Sequence, residues 1–350
     1  MLTSSSRPSQ IRFAPLSTVG IGSVPYREGK NSCAGIFKDW DIPFWPQYPG
    51  RTLRENLIFQ FLSSFPGLEV SESAAAFNEA VFLQHEDSYR KNLERTLSSS
   101  DDFSFEPPPG WALGYSEMKD LLSQGAFPEK RVIKLQVTGP ETVWKSFFSK
   151  NVSPSLAEGI REALGLSLQA AGLAQIHRAS EFGKTPLIFI DEPILADDLS
   201  FLRHMISTFK RNAALVGLHV CSNTHWQGFT NLDLDVFHFD VTAHRGFGEL
   251  QRNFIQTHLQ ARKWVAWGVV PTGQKTGLNI AKIDYGRNFL KQIERIADKK
   301  LLTEEVLNHS LLAPGCGAGT LRSQEEQAVF ESLRVTAMTL KTHWLKDSQK

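Results

Sequence analysis

The chain has 350 residues, of which 41% are hydrophobic and 21% are charged, and its formal net charge is +1. A charge this close to zero provides no general attraction to nucleic acid or to acidic membranes, so we expect neither as a partner. No apolar run reaches the roughly 18 residues that a membrane span needs, and three cysteines are too few for a disulfide framework, which favours a protein of the reducing cytoplasm.

The chain repeats one unit, in which a short apolar run is followed by a loop and then by a longer amphipathic stretch. Residues 1–13 precede the first unit, and because they are polar and serine-rich we expect a frayed tail. Continuous apolar runs are typical of parallel strands that are buried on both faces. Seven runs of this kind are found, at 16–21, 131–137, 186–190, 214–220, 235–239, 264–270 and 310–313.

Helical patterns separate these runs, most clearly at 156–182, 281–301 and 323–344. The eighth strand is harder to locate, and residues 102–105 are the candidate for the second position. Eight alternating units predict an α/β fold, a closed (β/α)8 TIM barrel that forms a single domain over residues 1–350.

The connection after the first run is too long for a plain turn. We therefore interpret residues 26–101 as a largely helical insertion over one end of the barrel, with helices near 53–65 and 74–97. It also contains an aromatic loop at 41–47, whose rings either pack in the core or close over a planar ligand.

Two of the three cysteines stand at the ends of predicted strands together with a histidine. His219 and Cys221 end one run, and Cys316 follows the last one. Thiolate and imidazole are the ligands that zinc prefers, and catalytic zinc sites keep one position open. A His-x-Cys pair with one distant cysteine suits a site at the end of a sheet, whereas zinc fingers have paired cysteine knuckles. The third cysteine, Cys33, lies outside every motif and is expected to be an exposed thiol.

The strand-end motifs, in their order, resemble the superfamily of cobalamin-independent methionine synthases and uroporphyrinogen decarboxylases. Within it the chain is similar to short single-barrel proteins that correspond to the catalytic C-terminal half of methionine synthase. The resemblance spans about residues 17–321. It is carried by VGIGSVP (19–25), DIPFWPQ (41–47), QVTGP (136–140), IFIDEP (188–193), LHVCSNTHW (218–226), FD (239–240), AWGVVPT (266–272) and LLAPGCG (311–317).

This resemblance implies a metal site. His219, Cys221 and Cys316 correspond to zinc ligands of the family, and Asp240 stands where the family has a glutamate as the fourth ligand. Because an aspartate is one methylene shorter, Asp240 reaches the metal only after a backbone shift or acts through water.

The resemblance also implies a substrate site. Ser23 and Asp191 fall where the family contacts the amino-acid part of a thiol substrate, and Asp191 is the candidate catalytic residue. Glu192, Asn223 and Trp226 are further candidates for the substrate pocket. Three other histidines near the site in sequence are assigned surface or packing roles, namely His225, His238 and His244.

The implied activity is a zinc-dependent transfer of a methyl group to a small thiol. We expect homocysteine as this thiol, because the carboxylate of Asp191 suits its amino group. The family has a histidine after its seventh strand, and residues 267–272 contain none. Because the folate-binding half is also absent, we expect a methylcorrinoid, carried by a partner protein or free, as donor instead of methyltetrahydrofolate. The alternatives are a coenzyme M-type methyltransferase, a uroporphyrinogen-decarboxylase-like enzyme, and an inactive zinc- or corrinoid-binding protein.

Overall fold

The computed structural model describes residues 13–28, 32–194, 198–221, 226–242, 248–273, 283–297 and 301–347. The strands within these ranges are β1 (Ser17–Thr18), β2 (Leu68–Val70), β3 (Ala75–Phe77), β4 (Val132–Thr138), β5 (Thr185–Asp191), β6 (Leu215–Val220), β7 (Val236–Asp240), β8 (Trp264–Val270) and β9 (Ser310–Pro314). The α-helices are α1 (Ser32–Asp39), α2 (Glu79–Ser98), α3 (Leu113–Ser123), α4 (Pro140–Ser146), α5 (Ala157–Glu181), α6 (Ser200–Arg211), α7 (Glu249–Gln260), α8 (Tyr285–Ile296), α9 (Thr303–Asn308) and α10 (Ser323–Asp347). Short 3-10 helices cover Leu53–Glu55, Phe148–Lys150 and Trp226–Asn231.

Seven strands form one parallel sheet in the order β1-β9-β8-β7-β6-β5-β4, while β2 and β3 form a separate antiparallel pair. From β4 onwards a helix lies between each pair of successive strands: α5, α6, the 3-10 helix Trp226–Asn231, α7 and α8, in that order. The prediction of a parallel α/β fold is confirmed, and the seven apolar runs all form strands of this sheet. None of the described helices is both long enough and apolar enough to span a bilayer.

The predicted eighth strand is wrong, and the regular sheet of the described residues is therefore not a closed eight-stranded barrel. Residues 102–105 form a turn, in which the amide of Ser104 donates to Asp102 Oδ1 at 2.9 Å. Arg95 also binds the Asp102 carboxylate at 2.8 Å. Phe105 is buried against Tyr89, with ring centroids 5.8 Å apart. The segment is therefore held by the contacts of Asp102 and by this buried ring, and not by pairing with a neighbouring strand.

The place between β1 and β4 is occupied by residues 42–47, which belong to the predicted insertion. They make only isolated parallel bridges, which join Ile42 to Val19, Gln47 to Ser23 and Phe44 to Lys134. The residues at 43 and 46 are prolines, which have no N–H to donate to a ladder. The 42–47 segment consequently lies in the position of a second strand without the regular hydrogen bonds of one.

Buried side chains hold the 42–47 segment in place of that ladder. Trp45 Nε1 donates to Gln175 Oε1 on α5 at 3.0 Å, and Gln175 Nε2 donates to the Gln136 carbonyl at 3.0 Å. Gln136 Nε2 returns to the Trp45 carbonyl at 2.8 Å. Trp45, Gln136 and Gln175 are all fully buried, so the three bonds connect α5, β4 and the segment away from water.

Two apolar clusters lie on the two faces of the sheet. The larger cluster fills the space between the strands and the surrounding helices. The smaller one lines the concave side and consists of Phe13, Val19, Ile21, Ile42, Leu187, Phe189, Val236, Trp264, Ala266, Leu311 and Ala313. The burial of both strand faces explains why the runs are apolar without alternation. Phe13 packs on Trp264 with ring centroids 5.2 Å apart, so the predicted tail is wrong at this residue, and residues 1–12 lie outside the described part.

The insertion contains less helix than expected. Only Leu53–Glu55 is helical in the predicted helix at 53–65, whereas α2 occupies most of the one predicted at 74–97 and packs along α5. The prediction that Cys33 is exposed is wrong, because its side chain on α1 is fully buried. Phe44 and Trp45 are likewise buried, so these two rings of the aromatic loop belong to the core.

Candidate metal centre

The chemistry-bearing residues lie at the carboxyl ends of β5, β6, β7 and in the turn after β9. In a parallel sheet these ends meet at one edge, which is where side chains from separate strands converge. The register places Asp191 beside His219 and His219 beside His238 on neighbouring strands. Cys316 follows two residues after β9, and Gly315 N is fixed to the Val270 carbonyl at 2.7 Å.

Three potential ligands come together at this edge. One ligand atom from each of His219, Cys221 and Cys316 lies within 4.8 Å of the other two, and Cys316 Sγ is 3.8 Å from His219 Nε2. Zinc bonds of about 2.0 Å to nitrogen and about 2.3 Å to sulfur at a tetrahedral angle separate the two ligand atoms by about 3.5 Å. The observed spacing fits a shared cation, and the donor set of one imidazole and two thiols fits a soft divalent metal.

Burial is graded across these ligands. His219 is 3% exposed, Cys316 is half-buried and Cys221 is exposed. The site is therefore closed on the side of the sheet and open on the side of Cys221, where a further ligand has access.

The two thiols are coupled by a hydrogen bond. The pKa of Cys221 is lowered because its sulfur accepts a hydrogen bond from Cys316, and this bond together with burial raises the pKa of Cys316 to about 12. Burial lowers the pKa of His219, but its contacts with Cys316 and Asp191 outweigh burial and raise it overall. Metals bind the deprotonated forms of these ligands, so occupation of the site requires proton release.

Asp191 lies next to this cluster as a buried carboxylate with spare hydrogen-bonding capacity. It is 8% exposed, and Oδ1 accepts no hydrogen bond from any residue in the described ranges. The pKa of Asp191 is raised because burial outweighs the opposing effects of Lys134 and His219. Burial also lowers the pKa of Lys134 to about 8, although Asp191 raises it.

Lys134 is a buried cation that the sequence analysis missed. It stands on β4 with Nζ bonded to the Ile21 carbonyl and, at 3.1 Å, to Gln136 Oε1. The ammonium lies 5.2 Å from the ring centroid of Phe189. A lysine between the apolar residues Ile133 and Leu135 was the available signal, because charged residues are almost never fully buried without a partner.

Glu192 faces a helix instead of the ligands. Its carboxylate accepts hydrogen bonds from Thr142 N at 2.7 Å and Glu141 N at 3.3 Å, at the first turn of α4. A carboxylate is stabilised at a helix N-terminus. Burial nevertheless raises the pKa of Glu192 to about 8. These contacts favour a structural role, and the predicted substrate contact of Glu192 remains a prediction.

Ser23 and Asp240 border the turn that carries Cys316. Ser23 Oγ accepts from Gly319 N at 3.2 Å, and a Cβ at Gly317 would lie 2.1 Å from the same oxygen. Asp240 Oδ1 accepts from Thr242 N at 2.8 Å and from Thr242 Oγ1 at 2.6 Å. Asp240 lies outside the three-residue cluster, so its role as fourth ligand remains a prediction.

The remaining candidates are placed as follows. Asn223, His225 and His244 lie outside the described residues, and only the backbone of Trp226 is described, at the start of a 3-10 helix. The packing role assigned to His238 was incomplete, because its ring contacts His219 within the buried site. The signal was present, since His238 is two residues before Asp240 and alternate residues of a strand share a face.

Comparison with known proteins does not assign this chain to a family. Neither the protein-family models nor the curated proteins provide a match to this chain.

Proposed function

We propose that this protein is a zinc-dependent methyltransferase that moves a methyl group to the sulfur of a small thiol, with homocysteine as the acceptor and methionine as the product. The observation that carries the proposal is the convergence of His219, Cys221 and Cys316 at the open edge of the sheet. It is supported by the resemblance of the strand-end motifs to the methionine synthase superfamily.

Zinc bound there would lower the pKa of a thiol ligand, so that a thiolate is available at neutral pH. His219, Cys221 and Cys316 would hold the ion, with Asp240 as the candidate for the exchangeable fourth position. The sulfur of the acceptor would replace Asp240 in that fourth position, while the other three ligands stay bound.

Asp191 supports an amino-acid thiol as the acceptor. Its carboxylate is buried beside His219 and lacks a hydrogen-bond donor at Oδ1 among the described residues. The ammonium group of homocysteine would supply that donor and compensate the buried charge. Coenzyme M has no amino group, so it would leave Asp191 unpaired.

The donor that we propose is a methylcorrinoid, free or on a partner protein. The described end of β8 and the residues after it, 270–273, offer no histidine that could protonate a folate leaving group. A corrinoid leaving group needs no such proton. The contribution of the protein is then to hold sulfur and methyl group in line, which is a task of positioning.

The test combines metal analysis with an activity assay on purified protein. We expect about one zinc per chain, and methionine formation from homocysteine and methylcobalamin that Cys316→Ala abolishes. Cys33→Ala is the matched control, because Cys33 is buried in α1 outside the ligand cluster and should leave both zinc content and activity intact.

Two further comparisons separate the alternatives. Coenzyme M in place of homocysteine should react poorly, and Asp191→Asn should raise the KM for homocysteine more than it lowers kcat. Full activity after removal of zinc, or equal activity of the Cys316→Ala variant, would refute the proposed function.

A further inference from the structure

His238 is a buried histidine on β7 that touches one proposed ligand and the strand that leads to another. Its Nδ1 lies 2.6 Å from His219 Nδ1, and its Nε2 lies 3.0 Å from the carbonyl oxygen of Pro314, two residues before Cys316. The ring is 0% exposed. Both nitrogens are therefore occupied by protein atoms, and water has no access to either.

The positions of the protons follow from these contacts. A carbonyl oxygen only accepts, so Nε2 of His238 carries the proton that it donates to Pro314. A neutral His238 then has a lone pair on Nδ1, which accepts the proton of His219 Nδ1. That assignment leaves the lone pair of His219 on Nε2, the atom that lies 3.8 Å from Cys316 Sγ.

A neutral ring is also what the surroundings of His238 favour. The ring is completely buried, and a charged imidazolium ring is costly to remove from water.

We infer that His238 is a positioning residue that fixes the tautomer and the orientation of His219, so that Nε2 is presented to the metal as a lone pair. This inference rests on the metal centre of the proposed function. Ligating histidines commonly donate their other N–H to a carboxylate or carbonyl, which sets the tautomer. Here a second histidine takes that place and passes the hydrogen bond on to Pro314.

The geometry of the sheet permits this contact because a small residue stands opposite. His238 is in register with Ala266 on β8, the strand that separates β7 from β9. Ala266 faces the concave cluster, and its methyl group leaves room for the imidazole to reach Pro314 across β8. The hydrogen-bonded chain thereby connects the strand of His219 with the strand that precedes Cys316.

The experiment compares His238→Leu with His238→Asn. The amide Oδ1 of asparagine occupies nearly the place of Nδ1 and can accept from His219, whereas leucine has a similar volume and no acceptor. We expect zinc affinity, measured by competition with a chelator, to fall about 10- to 100-fold in His238→Leu, as is usual for the loss of such a partner. His238→Asn should retain most of the affinity.

His258→Leu is the matched control. His258 is also buried, with Nε2 3.1 Å from the Trp264 carbonyl, but it stands on α7 away from the ligands. The variant His258→Leu should lower the stability of the fold without changing its affinity for zinc. A loss of affinity in His238→Leu that His258→Leu reproduces would assign the effect to folding and overturn the inference.

The wild-type protein provides a second readout that needs no variant and no metal. Long-range proton–nitrogen spectra of histidine-labelled protein at alkaline pH should show the proton of His219 on Nδ1 and that of His238 on Nε2. A His219 proton on Nε2, or unchanged zinc affinity in His238→Leu, overturns the inference. A wild-type protein with these tautomers but without zinc binding would instead refute the proposed function.

Discussion

Gln175 offers a direct test of how the 42–47 segment is held in the position of a second strand. Gln175→Leu keeps the approximate volume of a fully buried side chain on α5 and removes its amide. Trp45 Nε1 then loses its acceptor, and the Gln136 carbonyl loses a donor at 3.0 Å.

The expected magnitude follows from these two losses. An indole N–H is a donor only, and burying it without a partner costs about 1–3 kcal/mol. The loss of the hydrogen bond from Gln175 Nε2 to the Gln136 carbonyl adds about 1 kcal/mol. We expect Gln175→Leu to lower the free energy of unfolding by about 2–4 kcal/mol.

Urea unfolding followed by far-UV circular dichroism measures this change and allows a double-mutant cycle. Trp45→Phe removes the indole donor, so combining it with Gln175→Leu should destabilise less than the sum of the single changes, by about 1–3 kcal/mol. Gln169→Leu is the matched control on α5, because Gln169 Oε1 is buried and accepts no hydrogen bond from the described residues. It should be neutral or stabilising. Additive single changes, or equal effects of Gln175→Leu and Gln169→Leu, would refute the idea that this network holds the segment.

Two other predictions concern pH and metal. Burial, followed by the charge of Lys263, lowers the pKa of His258 from 6.5 to about 4, so the unfolded chain takes up a proton that the folded chain does not. The contribution of His258 to the free energy of unfolding should therefore fall by about 3 kcal/mol as the pH drops from 6.5 towards 4. His258→Gln can still donate to the Trp264 carbonyl but does not titrate, so it should flatten this part of the pH profile of urea stability. An unchanged profile would contradict the assignment. Zinc at about 100 times its Kd should stabilise by about 2.7 kcal/mol, which for 350 residues is a rise in Tm of about 4 °C. Calorimetry should show that rise in Cys33→Ala and not in Cys316→Ala, and a rise in both would place the metal elsewhere.

The local pattern of the chain determined most of the sheet. Runs such as 186–190 and 264–270 are apolar at every position. A strand that packs against helices on one face and against the filled concave side on the other has no face that is exposed to water. The order of strand and helix followed from the same pattern. The convergence of His219, Cys221 and Cys316 was also predictable, because residues at the carboxyl ends of parallel strands share one edge.

Only the tertiary structure decided what fills the place of the second strand. The 42–47 segment has two prolines and makes few backbone bonds, so no local propensity marks it as part of the sheet. It is held there by Trp45, Gln136 and Gln175, which are far apart along the chain. Hydrogen bonds between residues so far apart in the chain cannot be predicted from the pattern of neighbouring residues.

The role of His238 depended on register in the same way. A histidine in an apolar strand is equally consistent with packing, a ligand or a partner of a ligand. The pairing of β6 with β7 placed it beside His219, and the small Ala266 let it reach Pro314. Sequence spacing determines which residues arrive at an edge of the sheet, whereas the directions of individual hydrogen bonds depend on side-chain positions that only the packed fold sets.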